Sequence, residues 1–269
     1  MQNKGTAKGE KAKVTLVRKP YLMGRAVSSL SARRGLRVFG YLIVSAVLFF
    51  FLGQMLALET TWLRMALNLI VIMVFSALMF TEGAHIGEGD VSFAEIALNR
   101  KTDGRILAPG DISRCFHPAK GFFTAFIGTL PVMLLCLVYA FMAREDHYTL
   151  GTLPSWLGAY ESLADIALAL SYYQDRAGLQ AADILRLAVR LLVFPYVNLV
   201  GAGSSMGILW VERLSPLLVF IAPAFYGLGY MQGERYRAMV HGGILTNQRK
   251  AARRKKKERP QRREPRQLV

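Results

Sequence analysis

The sequence predicts an all-α, polytopic membrane protein with six transmembrane helices, and three observations carry that reading. Four runs (Phe39 to Leu58, Trp62 to Phe80, Phe122 to Ala143, Leu214 to Met231) approach the about 20 apolar residues that a bilayer crossing needs. Two further apolar runs, Ser162 to Tyr173 and Ile184 to Ala202, are interrupted by charge. Both ends of the chain are basic: Met1 to Arg37 holds ten Lys and Arg against one Glu, and Gly233 to Val269 thirteen against three Glu. Since the whole chain carries +16, the basicity belongs to its ends and the middle is slightly acidic. Lys and Arg flanking a span stay on the cytoplasmic side. That predicts both termini inside and an even number of crossings.

In order along the chain, residues 1–37 form a basic cytoplasmic segment, disordered through Lys19, where no apolar periodicity appears. Tyr21 to Arg37 has Arg and Ser without acid, as transit peptides do; a positive flank ahead of a span is the simpler account. Phe39 to Leu58 then runs outward, and Glu59, Thr60 and Thr61 make a tight turn. On the returning span Trp62 suits the interface, Arg64 can snorkel to it, and Asn68 is expected to face another helix. Residues 81–120 read as a cytoplasmic loop carrying Arg100, Lys101, Arg105, Arg114 and Lys120. Within it, Ser92 and Glu95 form a capping-box pattern that predicts a short helix over FAEIALNR. Asp111 is the predicted cap of a second short helix, ahead of ISRCF. The third span carries Pro131 at mid-membrane, with Gly128 and Thr129 beside it.

Topology is ambiguous from His147 to Arg213. The first run contains Asp165; the second contains Arg186, Arg190, Pro195 and Asn198. If one run alone crossed, the basic C-terminus would emerge outside. Either both cross, giving six spans, or neither does, giving four spans plus an outer amphipathic hairpin. The membrane domain therefore covers residues 38–232 and the basic cytoplasmic tail 233–269. In the six-span arrangement Asp165 and Arg190 lie at similar depth and are expected to pair, because an unpaired ion at mid-membrane costs at least about 2.5 kcal/mol.

Candidate chemistry is sparse. GAHIGEGD brings His85, Glu88 and Asp90 close in sequence, and such groups can hold a divalent metal. Their spacing matches no established metal pattern, and Gly with Asp is ordinary turn chemistry. Cys115 and His117 add a thiol and an imidazole to the same loop without completing a zinc set. GAGSSMG (201–207) sets serines between glycines, but a serine nucleophile needs an adjacent base. His147 and His241 both fall outside the predicted spans, so a turn is the expected role. The two cysteines exclude a disulfide framework, and no phosphate-binding GxxxxGK[ST] loop occurs. Gly229 and Gly233, with Gly227, offer the small-residue spacing that lets helices approach closely, within the bundle or between copies.

These features predict a non-enzymatic accessory or scaffold component of a membrane complex, most simply in a bacterial cytoplasmic membrane, without catalytic residues or cofactor. A small-solute or ion transporter or channel-like protein is the alternative, and a membrane enzyme acting on lipid comes third. The expected partners are the lipid bilayer and another membrane protein. Through Arg253, Arg254, Lys255, Lys256 and Lys257, anionic lipid head groups or ribosomal RNA are expected as well. Aromatic residues are absent after Tyr236, so base stacking is unavailable and no sequence-specific nucleic-acid reading is expected.

Overall fold

A computed structural model describes residues 16–56, 58, 60–144, 163–164, 181–201 and 204–258. Among them the chain is all-helical, with four helices long and apolar enough to cross a membrane. These are α1 (Ser29–Leu56), α2 (Thr61–Thr102), α4 (Lys120–Met142) and α7 (Ser205–Met231). Shorter helices are α3 (Pro109–Arg114), α5 (Ala181–Leu192) and α6 (Phe194–Val200). The final helix is α8 (Gly233–Glu258), separated from α7 by Gln232 alone. The run Ser162 to Tyr173, with Asp165, lies outside the described residues apart from Leu163 and Ala164.

Helix α7 is the hub. Half of its most apolar window is buried, against 22% for α1 and 17% for α2, whose large side chains largely face outward. It packs antiparallel to α4, with Tyr139 meeting Glu212 near one end and Gly121 meeting Tyr230 near the other. Against α2 it runs parallel, since Gly83 meets Tyr226 and Gly87 meets Tyr230 in the same chain direction. Helix α1 lies along α4 through Gly35 and Gly128. Although α1 and α2 are consecutive helices, they scarcely touch.

Contrary to the predicted loop, α2 continues unbroken from the apolar run to Thr102. At 1.5 Å per residue, 42 residues extend about 63 Å, twice the hydrocarbon thickness of about 30 Å. The stretch GAHIGEGD is therefore helical, and Ser92 is interior to the helix rather than its cap. A glycine costs about 1 kcal/mol in a helix relative to alanine. Tertiary packing offsets that here: a side chain at Gly83 would meet the Tyr226 carbonyl, and one at Gly87 the Tyr230 carbonyl. Gly229 and Gly233 complete the same seam against Phe80 and Gly87. Their small-residue spacing thus serves contact within the chain. In the second short helix, Ala108 is the cap and Asp111 lies inside the first turn; Pro109, pre-set for a helix's first residues, starts it earlier than predicted.

The run Ile184 to Ala202 does not form one crossing helix. Pro195 lacks an N–H and its ring would clash with the carbonyl four residues back, so α5 stops at Leu192 and α6 restarts at Phe194. Arg186 Nη2 lies 3.5 Å from the Arg144 carbonyl just past α4, and Asn198 Nδ2 lies 3.4 Å from the Gly53 carbonyl near the end of α1. Between these anchors, Leu192, Pro195 and Tyr196 reach Leu42, Leu218 and Ala222 in the bundle interior. Phe194, at the start of α6, lies against Gly53, three residues before the end of α1. The two short helices pack on the bundle, α5 against α1, α4 and α7 and α6 against α1, α2 and α7.

Candidate functional site

Two buried ion clusters hold the bundle, one near each end. At the basic end Asp90 is the centre, almost fully buried. Arg34 approaches it bidentately, Nη1 to Oδ2 at 2.6 Å and Nη2 to Oδ1 at 2.7 Å. Lys120 Nζ donates to Oδ2 at 3.1 Å, and Tyr230 Oη donates to the same oxygen at 2.6 Å. Three of these four bonds converge on Oδ2 and one falls on Oδ1. Lys120 has no exposed side-chain surface and divides its remaining donors between the Ser113 carbonyl at 2.8 Å and the Cys115 carbonyl at 3.2 Å. One acid thus joins α1, α2, α4 and α7. Phe116 stacks on Tyr230 at 5.2 Å and receives the edge of Tyr21 at 5.8 Å.

Beside this cluster α8 docks on the extension of α2. His241 Nε2 lies 2.8 Å from Glu95 Oε1, Arg237 Nε 3.2 Å from Glu95 Oε2, and Arg237 Nη1 3.4 Å from Glu88 Oε1. Tyr21 Oη donates to Glu234 at 3.4 Å; burial first, and then Glu234, raise its hydroxyl pKa.

At the opposite end Glu212 is fully buried. Arg190 Nε lies 2.6 Å and Arg186 Nε 3.0 Å from its Oε1, and Tyr139 Oη donates to Oε2 at 3.1 Å. This cluster clamps α5 to α4 and α7. Near the α1–α2 turn, Arg64 Nη1 donates to the Leu58 carbonyl at 3.3 Å, and its guanidinium sits against Gly201, whose φ is +82°. Arg64 therefore turns toward α6 and the loop after it rather than outward. Asn68 is buried and donates to the Arg64 carbonyl at 2.8 Å and the Leu56 carbonyl at 3.4 Å.

The predicted site residues fare unequally. His85 is exposed, Glu88 pairs with Arg237, and Asp90 belongs to the buried cluster. Because α2 is continuous, Asp90 lies about 200° round the helix from Glu88, so neighbours in sequence point apart. Among the described residues no three His, Cys, Asp or Glu side chains come together as a metal set. Arg190 has Glu212 as partner, while its predicted partner Asp165 lies outside the described residues. Gly201 and Ser204 do make a turn, in which Ser204 Oγ accepts from Gly207 N at 3.1 Å and caps α7. Arg253 and Arg254 are exposed on α8, which carries Lys255, Lys256 and Lys257 on to Glu258. The basic tail is thus helical as far as Glu258.

Sequence reasoning missed Arg34, Lys120, Tyr230, Glu95 and Glu212 as cluster members. Glu212 had a signal: it is an acid two residues before an apolar run, and α7 begins upstream of it at Ser205. No protein-family model, curated protein or solved structure matches the chain.

Proposed function

We propose that this chain is a non-enzymatic accessory or scaffold component of a membrane complex, in a bacterial cytoplasmic membrane, with both termini cytoplasmic. One observation carries the reading: the buried acids are consumed by the fold itself. Asp90 and Glu212 each hold two cations and a tyrosine hydroxyl, the arrangement of a structural clamp. What the fold leaves open is its exterior. From Gly243 to Arg254 nearly every residue of α8 is exposed, and the five cations Arg253 to Lys257 lie at its far end. Such an arm suits an anionic surface, either lipid head groups or ribosomal RNA, at about 1 kcal/mol per basic residue near a lipid surface.

The proposed topology has four spans. The α5–α6 pair enters from the outer side and returns, in place of the fourth and fifth crossings. Irregular backbone at membrane depth is tolerated where protein buries it, and Val189 and Val193 are fully buried. Re-entrant, Pro-broken helices also occur in transporters and channels, so transport is the second reading.

Purification in a mild detergent tests the two. A scaffold retains a stoichiometric protein partner, which a chain truncated after Gly242 loses while its membrane domain stays folded. Solute or ion flux by the purified protein in liposomes, with no partner retained, would overturn the first reading in favour of the second.

A further inference from the structure

The splay of α1 from α2 leaves an apolar groove of about 530 Å³ along the bundle's flank. Leu48, Phe49 and Leu52 line one wall; Ile70, Val74 and Phe75 line the other. It extends on α1 from Leu52 to Tyr41 and on α2 from Ile70 to Glu82. Eleven or twelve residues at 1.5 Å make about 17 to 18 Å, close to the about 15 Å of one hydrocarbon leaflet. The groove thus has the length of one acyl chain.

Its two ends differ. At the basic end stand Tyr41, Thr81 and Glu82, with Arg37 Nη1 3.4 Å from Glu82 Oε1. Arg37 keeps 60% of its side chain exposed, and Arg33, one turn earlier on the same face, is exposed too. Two guanidiniums against one carboxylate leave one positive charge at the mouth. Arginine recognises phosphate through its planar fork of donors.

The walls argue against a partner helix. Close helix packing in a membrane uses small residues or hydrogen-bonding side chains, and these walls present bulky aliphatic and aromatic groups. Ser45, the polar residue deeper in the groove, already donates to the Leu42 carbonyl at 2.8 Å. A flexible hydrocarbon chain fits such walls without needing a polar partner.

We infer that the α1–α2 groove is a binding site for one anionic phospholipid, an acyl chain lying between the helices and its phosphate against Arg33 and Arg37. Native mass spectrometry after exhaustive detergent washing tests it. The full chain is first reconstituted with equal amounts of phosphatidylglycerol and phosphatidylcholine. Wild type should retain one phosphatidylglycerol per chain. Two variants should each lower retention at least tenfold: Arg33→Gln with Arg37→Gln, which removes the phosphate partners at an exposed surface, and Val74→Trp, which fills the groove and leaves the arginines in place. Size-exclusion profiles report whether each remains folded, and the arginine variant decides the matter if the tryptophan variant does not. Equal retention of both lipids, unaltered retention in the folded arginine variant, or a polypeptide adduct in place of lipid would each overturn the inference.

Discussion

Removing the Asp90 carboxylate tests the reading of the ion clusters as clamps. In Asp90→Ala, Arg34 and Lys120 remain buried without a counter-charge and Tyr230 Oη loses its acceptor. Breaking a buried ion pair by deleting one partner costs about 3 to 5 kcal/mol. That corresponds to roughly a hundredfold to several-thousandfold in the folded-to-unfolded ratio, at about 1.4 kcal/mol per factor of ten. Lys120→Met should cost less, about 1 to 3 kcal/mol, because Arg34 still holds Asp90 while the Ser113 and Cys115 carbonyls lose a donor. The two substitutions together should cost less than their sum, since the second removes a cation that the first stranded. The exposed pair Arg37–Glu82 is the internal control, and Glu82→Gln should change stability by less than about 1 kcal/mol. Reversible unfolding in mixed micelles, followed by circular dichroism, gives all four values. The reasoning fails if Asp90→Ala lies within about 1 kcal/mol of wild type, or if Glu82→Gln is equally damaging.

Other outcomes follow from the same geometry. Glu212→Ala strands Arg186 and Arg190 and should detach α5, seen as faster proteolysis between residues 181 and 200 with the four long helices intact. Gly87→Leu places a side chain on the Tyr230 carbonyl and should abolish folded yield, whereas Gly89→Leu, with open space around it, should not. Cys115 is fully buried and burial raises its thiol pKa, so maleimide at neutral pH should modify it only after denaturation. Its raised folded pKa also means that stability is intact below the unfolded thiol pKa of about 8.5 and falls as pH rises beyond it. A peptide spanning residues 243–269 should bind acidic vesicles at low salt and release them near 1 M, where charges are screened within about 3 Å; retention in high salt contradicts surface electrostatics.

The four long apolar helices were legible because length and hydropathy depend on composition alone. The break after Gly201 was legible for a similar reason, since it interrupts an apolar run locally. What lay hidden was set by tertiary contact. GAHIGEGD reads as a turn by its glycines and becomes helix because α7 occupies the space that Gly83 and Gly87 leave. Asp90, grouped with His85 and Glu88 by sequence, is joined instead to Arg34 and Lys120, which lie 56 and 30 positions away. Pro195 was visible, but whether it kinks a crossing helix or ends one depends on the packing of Leu192 and Tyr196 inside the bundle. The buried acid at 212 was passed over because the apolar run was taken to start two residues later.

The most direct measurement is reporter topology at three positions: before Met1, after Val269 and at Ala177. With four spans and a re-entrant α5–α6 pair, both ends read cytoplasmic and Ala177 reads outside. A cytoplasmic signal at Ala177 would contradict that arrangement and restore six crossings, and an external signal at either end would contradict the bundle's proposed orientation altogether.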